Sequence, residues 1–371
     1  MFQENNMKKS ILILLSVLLV IAASSCALSA PRKSNHSDLP DPSLFRQQDR
    51  GDFFIETDNC YYYANDQKIY FSSNDELAFY LLCNKPNCTH NDENCNAYTG
   101  FGLGYWNGHL YGAILFGETP YFAQIDLDGN EHRKFADIEM PLNPAGTAGG
   151  GYDFYFHNGY VYYNVRNEGL NAFFQTNLAT GKTERVLEDL LRGDTWIRSG
   201  FHFIDTKFYF VLWEEDGSYV MYGGDTETWE YRRIRDWPSE IRSWMVEGDT
   251  LYYYASDRAI FCEYDLTTGE EKTFSQQDYH GGAANYDDDY IYLTTWDDDS
   301  FGNMGLSIFD RNYQFIQRID YQPNQDLLYD AQDKLIFTDL PSQKATKYLP
   351  KSAIGTGEAE LLPIEDPYSY R

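Results

Sequence analysis

The densest chemistry in this 371-residue sequence lies in one segment, Cys83-Asn84-Lys85-Pro86-Asn87-Cys88-Thr89-His90-Asn91-Asp92-Glu93-Asn94-Cys95. Three thiols and an imidazole follow one another there in a C-x4-C-x-H-x4-C pattern. Such a set can wrap one structural Zn²⁺, because structural zinc sites are tetrahedral and Cys3His is among their ligand sets. Thiols outside a cell also oxidise, and Cys83, Cys88 and Cys95 together with Cys60 can instead form two disulfides that pin a long loop. Spacing alone leaves metal and disulfides open, and both readings are structural rather than catalytic. Cys262, between Phe261 and Glu263, reads as a buried thiol.

A second group is aromatic and charged: Arg166, Trp196, Trp213 with Glu214, Trp237, and Trp296 with Asp298. Aromatic platforms beside carboxylates suit stacking on sugar rings, with hydrogen bonds to hydroxyls, or holding a cationic peptide. For any single tryptophan the plain alternative is packing. The acid runs Asp287-Asp288-Asp289 and Asp297-Asp298-Asp299 do not complete an EF-hand loop. The sequence holds no G-x-S-x-G elbow, no H-E-x-x-H and no P-loop, so no residue is singled out as catalytic. Paired carboxylates for glycoside hydrolysis stay open, because their separation is a three-dimensional quantity.

These residues need a frame, and internal repetition supplies one. A polar turn, an aliphatic or aromatic residue and then a tyrosine recur, ending at Tyr70, Tyr111, Tyr162, Tyr209, Tyr252 and Tyr292, with a degenerate seventh at Ile336. Successive anchors stand 40 to 51 residues apart, the length of a four-stranded propeller blade. Around each anchor the order is strand, turn, strand, loop, strand, turn, strand, with Gly and Asn where tight hairpins need positive φ. Runs such as Tyr61-Tyr62-Tyr63 are apolar on both faces, as strands packed between neighbouring sheets must be. The expectation is an all-β fold: a single β-propeller of seven four-stranded blades.

On this scheme Phe53-Phe54-Ile55-Glu56 is an extra strand before the first unit and Glu360-Leu361-Leu362-Pro363 ends the last. One of them should complete the final blade. The cysteine cluster falls after the third strand of blade one, and the tryptophan and acid group falls on loops at one rim of the ring.

The chain begins with an address. Lys8-Lys9 precede the apolar stretch Ile11 to Ala23, and Ala22-Ala23-Ser24-Ser25 lead to Cys26, with Met1 and Met7 as alternative starts. This pattern reads as a secretory signal too short to span a bilayer. Residues 1–25 are thus expected to be an export signal peptide, 26–50 a Pro- and Ser-rich flexible tether, and 51–371 the propeller domain. The formal charge of −28 argues against nucleic acid as a partner, since that affinity depends on clustered Lys and Arg.

Small residues before Cys26 resemble the lipobox of bacterial lipoproteins, in which the cysteine carries a diacylglyceryl group. Together with the Tyr-rich repeats and Leu82-Cys83…Lys85-Pro86-x-Cys88-x-His90…Cys95, the chain resembles surface lipoproteins of Gram-positive bacteria with TolB-like or otherwise uncharacterised propellers. The resemblance implies lipidation at Cys26, a place on the outer face of the cytoplasmic membrane, and no established activity. The expected function is a monomeric, non-enzymatic scaffold binding a glycan or another envelope protein. A carbohydrate-active hydrolase or lyase using rim acids is the alternative.

Overall fold

The computed structural model describes residues 54–367 apart from 116–118, 140–152, 168–169, 189–195, 239–240, 276–279, 298–303, 322–324, 340 and 358. Among the described residues the strands form seven four-stranded sheets, each built from four strands consecutive in sequence and joined antiparallel. The sheets are the blades of a propeller, as the repeat predicts. Among the described residues the one helical turn is a short 3-10 segment at Lys351–Ala353.

Innermost strands follow one another around the ring: Phe54–Glu56, Phe101–Trp106, Phe154–His157, Trp196–Ile204, Ile241–Glu247, His280–Tyr286 and Gln325–Asp330. Those of blades two, four, five, six and seven each carry a register shift against the second strand. A bulge bends a strand and increases its twist, which lets a straight hairpin curve about a central axis.

Six of the seven anchors are the third residue of a second strand and pack against the neighbouring blade, five of them buried and Tyr252 half-buried. Blade one departs from the expected register. Its second strand is Cys60–Asn65, so the equivalent residue is Tyr62, and Tyr70 belongs to the third strand, Lys68–Ser73. Phe54–Glu56 is therefore the inner strand of blade one, not an extra strand. The end of the chain does complete the last blade, with Leu362–Pro363 pairing Lys344–Pro350 as its outer strand.

Closure of the ring falls to side chains and short backbone contacts across the seam between blades seven and one. Phe54 stacks on Tyr329 with ring centroids 4.0 Å apart. Buried Lys334 donates from Nζ to the Tyr61 hydroxyl at 3.1 Å and to the Asn74 carbonyl at 3.0 Å. Past the outer strand, Glu365 donates its N–H to Leu77 O at 3.2 Å.

The same grammar of tyrosine, cation and acid recurs at other seams. Lys351 Nζ sits 2.6 Å from Asp287 of blade six and 2.6 Å from Asp330 of blade seven, while the Tyr292 hydroxyl donates to Asp287 at 2.6 Å. Arg235 lies over the Tyr264 ring at 4.2 Å and reaches Glu271 at 2.9 Å. Buried phenols need such partners, because an unsatisfied hydroxyl costs about 1–3 kcal/mol.

Inner strands come close enough that one needs glycine. A Cβ at Gly104 would lie 2.1 Å from the Phe156 ring of blade three. Gly104→Val is expected to overpack this contact and lower stability by about 1–3 kcal/mol, read as a fall in the thermal unfolding midpoint of the full chain.

Candidate metal centre

The outer edge of blade one is a broken strand. Tyr80–Leu81 pairs with Phe71 and Tyr70, and Leu82 continues the ladder by donating its N–H to Ile69 O at 2.9 Å. Ile69 does not return its own N–H to Leu82 but donates it to Ala97 O at 2.8 Å. Tyr98 then bridges Lys68, and Thr99 donates to Gln67 O at 2.9 Å. Leu82 and Ala97 thus share one partner, and residues 83–96 are extruded between them. The cysteine cluster is an insertion within the edge strand, rather than a loop following the third strand as the repeat scheme places it.

Cys83 and Cys95 stand at the neck of this loop, Cys88 and His90 nearer its tip. One ligand atom from each of the four lies within 4.8 Å of all the others, so the group could hold a metal ion. A tetrahedral site with metal–sulfur bonds near 2.3 Å separates its sulfurs by roughly 3.8 Å, so a small contraction suffices. His90 Nδ1 is 3.4 Å from Cys95 Sγ. Left-handed backbone at Asn87 and His90 (φ 59° and 56°) folds the tip back, and Lys85 Nζ donates to Asn94 O at 2.6 Å across it.

Backbone N–H groups point at the Cys83 and Cys95 sulfurs. Ala97 N–H points to Cys95 Sγ at 3.4 Å. Burial pushes the Cys83 thiol up, but N–H groups of Lys85 and Asn96 and the neighbouring Cys95 and Cys88 outweigh it and hold its pKa below the ordinary range. Burial, with Cys83 alongside, pushes Cys95 up to about 12. Without a cation only part of the cluster ionises; a bound dication would stabilise all three thiolates.

The loop also joins two blades. Asn96 donates from Nδ2 to the carbonyls of Gly129 and Asn130 of blade two, both at 2.8 Å. Gly129, at φ +69°, lets this turn approach so closely that a Cβ there would lie 2.8 Å from Leu82 O. His132 backs the loop beside Tyr98 and Lys85, its pKa lowered by burial. Nothing in the local sequence pattern marks it.

Cys60 does not join the cluster. It pairs with Ser73, four residues along the third strand from Ile69 where the neck opens, so roughly 13 Å separates it from the neck at about 3.3 Å per residue. A disulfide needs Cα atoms within about 7 Å. Two disulfides among these four cysteines do not fit the fold. Cys262 is a buried thiol, as its strand setting predicts.

The described tryptophan and acid residues fall at the end of the blades where second strands lead into third. Register aligns Trp196, Trp213 and Tyr219 across blade four, and Trp237 extends the row by donating its N–H to Tyr219 O at 2.7 Å. Trp213 is 40% exposed and stacks on Tyr219, with centroids 6.5 Å apart at 25°. Trp237 is 5% exposed, with its ring against Trp244 and Tyr253, so it is core and not a ligand platform. Glu214 accepts the Tyr222 hydroxyl at 2.6 Å; burial and this carboxylate push Tyr222 up to about 12.

Trp296 is half-buried at the end of its strand in blade six, opposite His280, and Asp297 beside it pairs with Arg318. Arg166 takes its backbone place opposite Asn171 in blade three. Asp298 lies outside the described residues, as do the signal, Cys26 and the tether.

No protein-family model and no curated protein matches the sequence. Among solved structures, a prolyl endopeptidase superposes with a TM-score of 0.54 at 13% identity, over 97% of this chain and 56% of that one. The chain therefore spans just over half of that enzyme, and at such identity the likeness speaks to fold alone. BamB from Moraxella catarrhalis matches with a TM-score of 0.43 at 11% identity, over 79% of this chain and 82% of its own. The computationally designed protein Ika8 matches at 0.46 and 11%, over 86% and 98%.

The two tryptophans of blade four should separate under mutation. Trp237→Ala is expected to cost about 3–5 kcal/mol of unfolding free energy in denaturant titration. Trp213→Ala should cost within about 0.5 kcal/mol, as exposed positions do.

Proposed function

We propose that this chain is an exported lipoprotein scaffold: anchored through Cys26, carried on the tether 26–50, and presenting the propeller 51–371 outside the cytoplasmic membrane to bind a ligand without turning it over. The lipobox-like Ala22-Ala23-Ser24-Ser25-Cys26 and the resemblance to Gram-positive surface lipoproteins support the address. A propeller is a rigid ring that presents loops from several blades at one end, which suits a binding role.

The observation that carries the reading is the closed ligand set at Cys83, Cys88, His90 and Cys95. Four protein ligands fill a tetrahedral zinc and leave no position for water or substrate, which is the arrangement of a structural site. The zinc holds the loop extruded from blade one against blade two. At the other candidate site Glu214 is engaged by Tyr222 and Asp297 by Arg318. Bound acids of this kind orient hydroxyls and neighbours more readily than they shuttle protons, while exposed Trp213 offers a face for a pyranose ring.

Reduced full-length chain is expected to hold about one zinc by elemental analysis. Zinc at a hundred times its dissociation constant should add about 2.7 kcal/mol to stability, and Cys95→Ser should remove most of that gain. A reduced chain that carries no zinc and gains nothing from it would rule the site out.

The ligand is to be sought on a glycan array, followed by an assay for newly released reducing ends. Binding lost in Trp213→Ala, with no product from the wild-type chain, is the expected result. Turnover abolished by Asp298→Asn would reject the passive scaffold.

A further inference from the structure

We infer that Cys83 and Cys95 are a disulfide pair in waiting: in the metal-free loop a two-electron oxidant joins these two and leaves Cys88 as a thiol. The inference rests on the metal reading of the same residues and adds its regulation. The neck of the loop is locked in both states, and only the tip from Asn84 to Asn94 depends on metal.

The choice of pair follows from what holds each backbone. Cys83 follows Leu82, which is bound to Ile69, and donates its own N–H to Leu81 O at 2.8 Å. Cys95 donates its N–H to Asp92 O at 3.0 Å and accepts that of Tyr98 at 3.1 Å, while Ala97 two residues on is bound to Ile69. Between them and Ala97, Asn96 is fastened to blade two. Both neck residues are therefore tied to groups outside the loop, Cys83 through Leu81 and Cys95 through Tyr98 with one further bond inward to Asp92, and their sulfurs already lie within 4.8 Å.

Cys88 is held differently. It follows left-handed Asn87 in a stretch of exposed residues, and its N–H makes a 3.3 Å bond to Lys85 O within the loop itself. Joining Cys83 to Cys95 needs side-chain rotation on a fixed neck. Joining Cys88 to either would tie down the tip, at the cost of its conformational freedom.

With hydrogen peroxide as oxidant the step balances. One thiolate attacks the O–O bond, forming a sulfenic acid and releasing hydroxide. The second thiolate attacks that sulfur, forms the S–S bond and expels a second hydroxide. Two sulfurs each give up one electron, peroxide takes two, and two protons from solvent convert the hydroxides to water. Where zinc is bound, losing two of four ligands releases it, leaving Cys88 and His90.

The test treats reduced, zinc-loaded full chain with hydrogen peroxide, follows zinc with a chromophoric chelator, and maps disulfides by alkylation before digestion. Expected are one zinc released per bridge formed, a Cys83–Cys95 cross-link, and alkylated Cys88. Cys88→Ser should bind zinc more weakly yet form the bridge to the same extent. A dominant bridge involving Cys88, loss of the bridge in Cys88→Ser, or oxidation to sulfinic acids without a bridge would overturn the inference. Mapping on chain stripped of metal reads the pair independently, so a failure to bind zinc and a failure to form this disulfide are distinguishable.

Discussion

A sheet apolar on both faces has no stable place except between two others, and this governs the molecule. Each blade here carries tyrosine and phenylalanine on both sides, so the last sheet must meet the first. The stack of Phe54 on Tyr329 at 4.0 Å and the reach of Lys334 to Tyr61 and Asn74 are where that requirement is met. Among the described residues no strand is exchanged between chain ends at this seam. Closure depends on side-chain complementarity, helped by the final segment lying against Leu77.

Once the faces are consumed by neighbours, variation is confined to the ends of blades and to their outer edges. That explains where the chemistry sits. An insertion in an inner strand would break the ring, whereas the edge strand of blade one has solvent on one side and can open at Ile69. The opened edge is then tied back by Asn96 to blade two and, on the present account, by a zinc across its neck. An interrupted edge also offers fewer consecutive unpaired backbone groups to other chains.

How far the sequence was legible follows the same physics. Second-strand tyrosines are visible because burial between sheets demands them at one fixed place per repeat. Blade one is misread by a hairpin because Asp66-Gln67 adopts left-handed φ at both residues, 47° and 58°, just as Asn107-Gly108 does at 47° and 81°. A turn of one kind joins second to third strand in one blade and first to second in the other, so their sequences look alike. The candidate ligand set is legible because its four residues are local in sequence. Exclusion of Cys60 was not, since it depends on the register Cys60–Ser73. Trp237 and Trp213 share residue type and loop position, and only packing against blade five separates core from platform.

The proposed scaffold depends on one closed tetrahedral metal centre holding the extruded loop. Zinc-edge X-ray absorption on the reduced full chain measures the coordination shell directly. Three sulfurs near 2.3 Å and one nitrogen at about 2.0–2.1 Å are expected. A shell dominated by oxygen, or one with fewer than three sulfurs, would contradict the account.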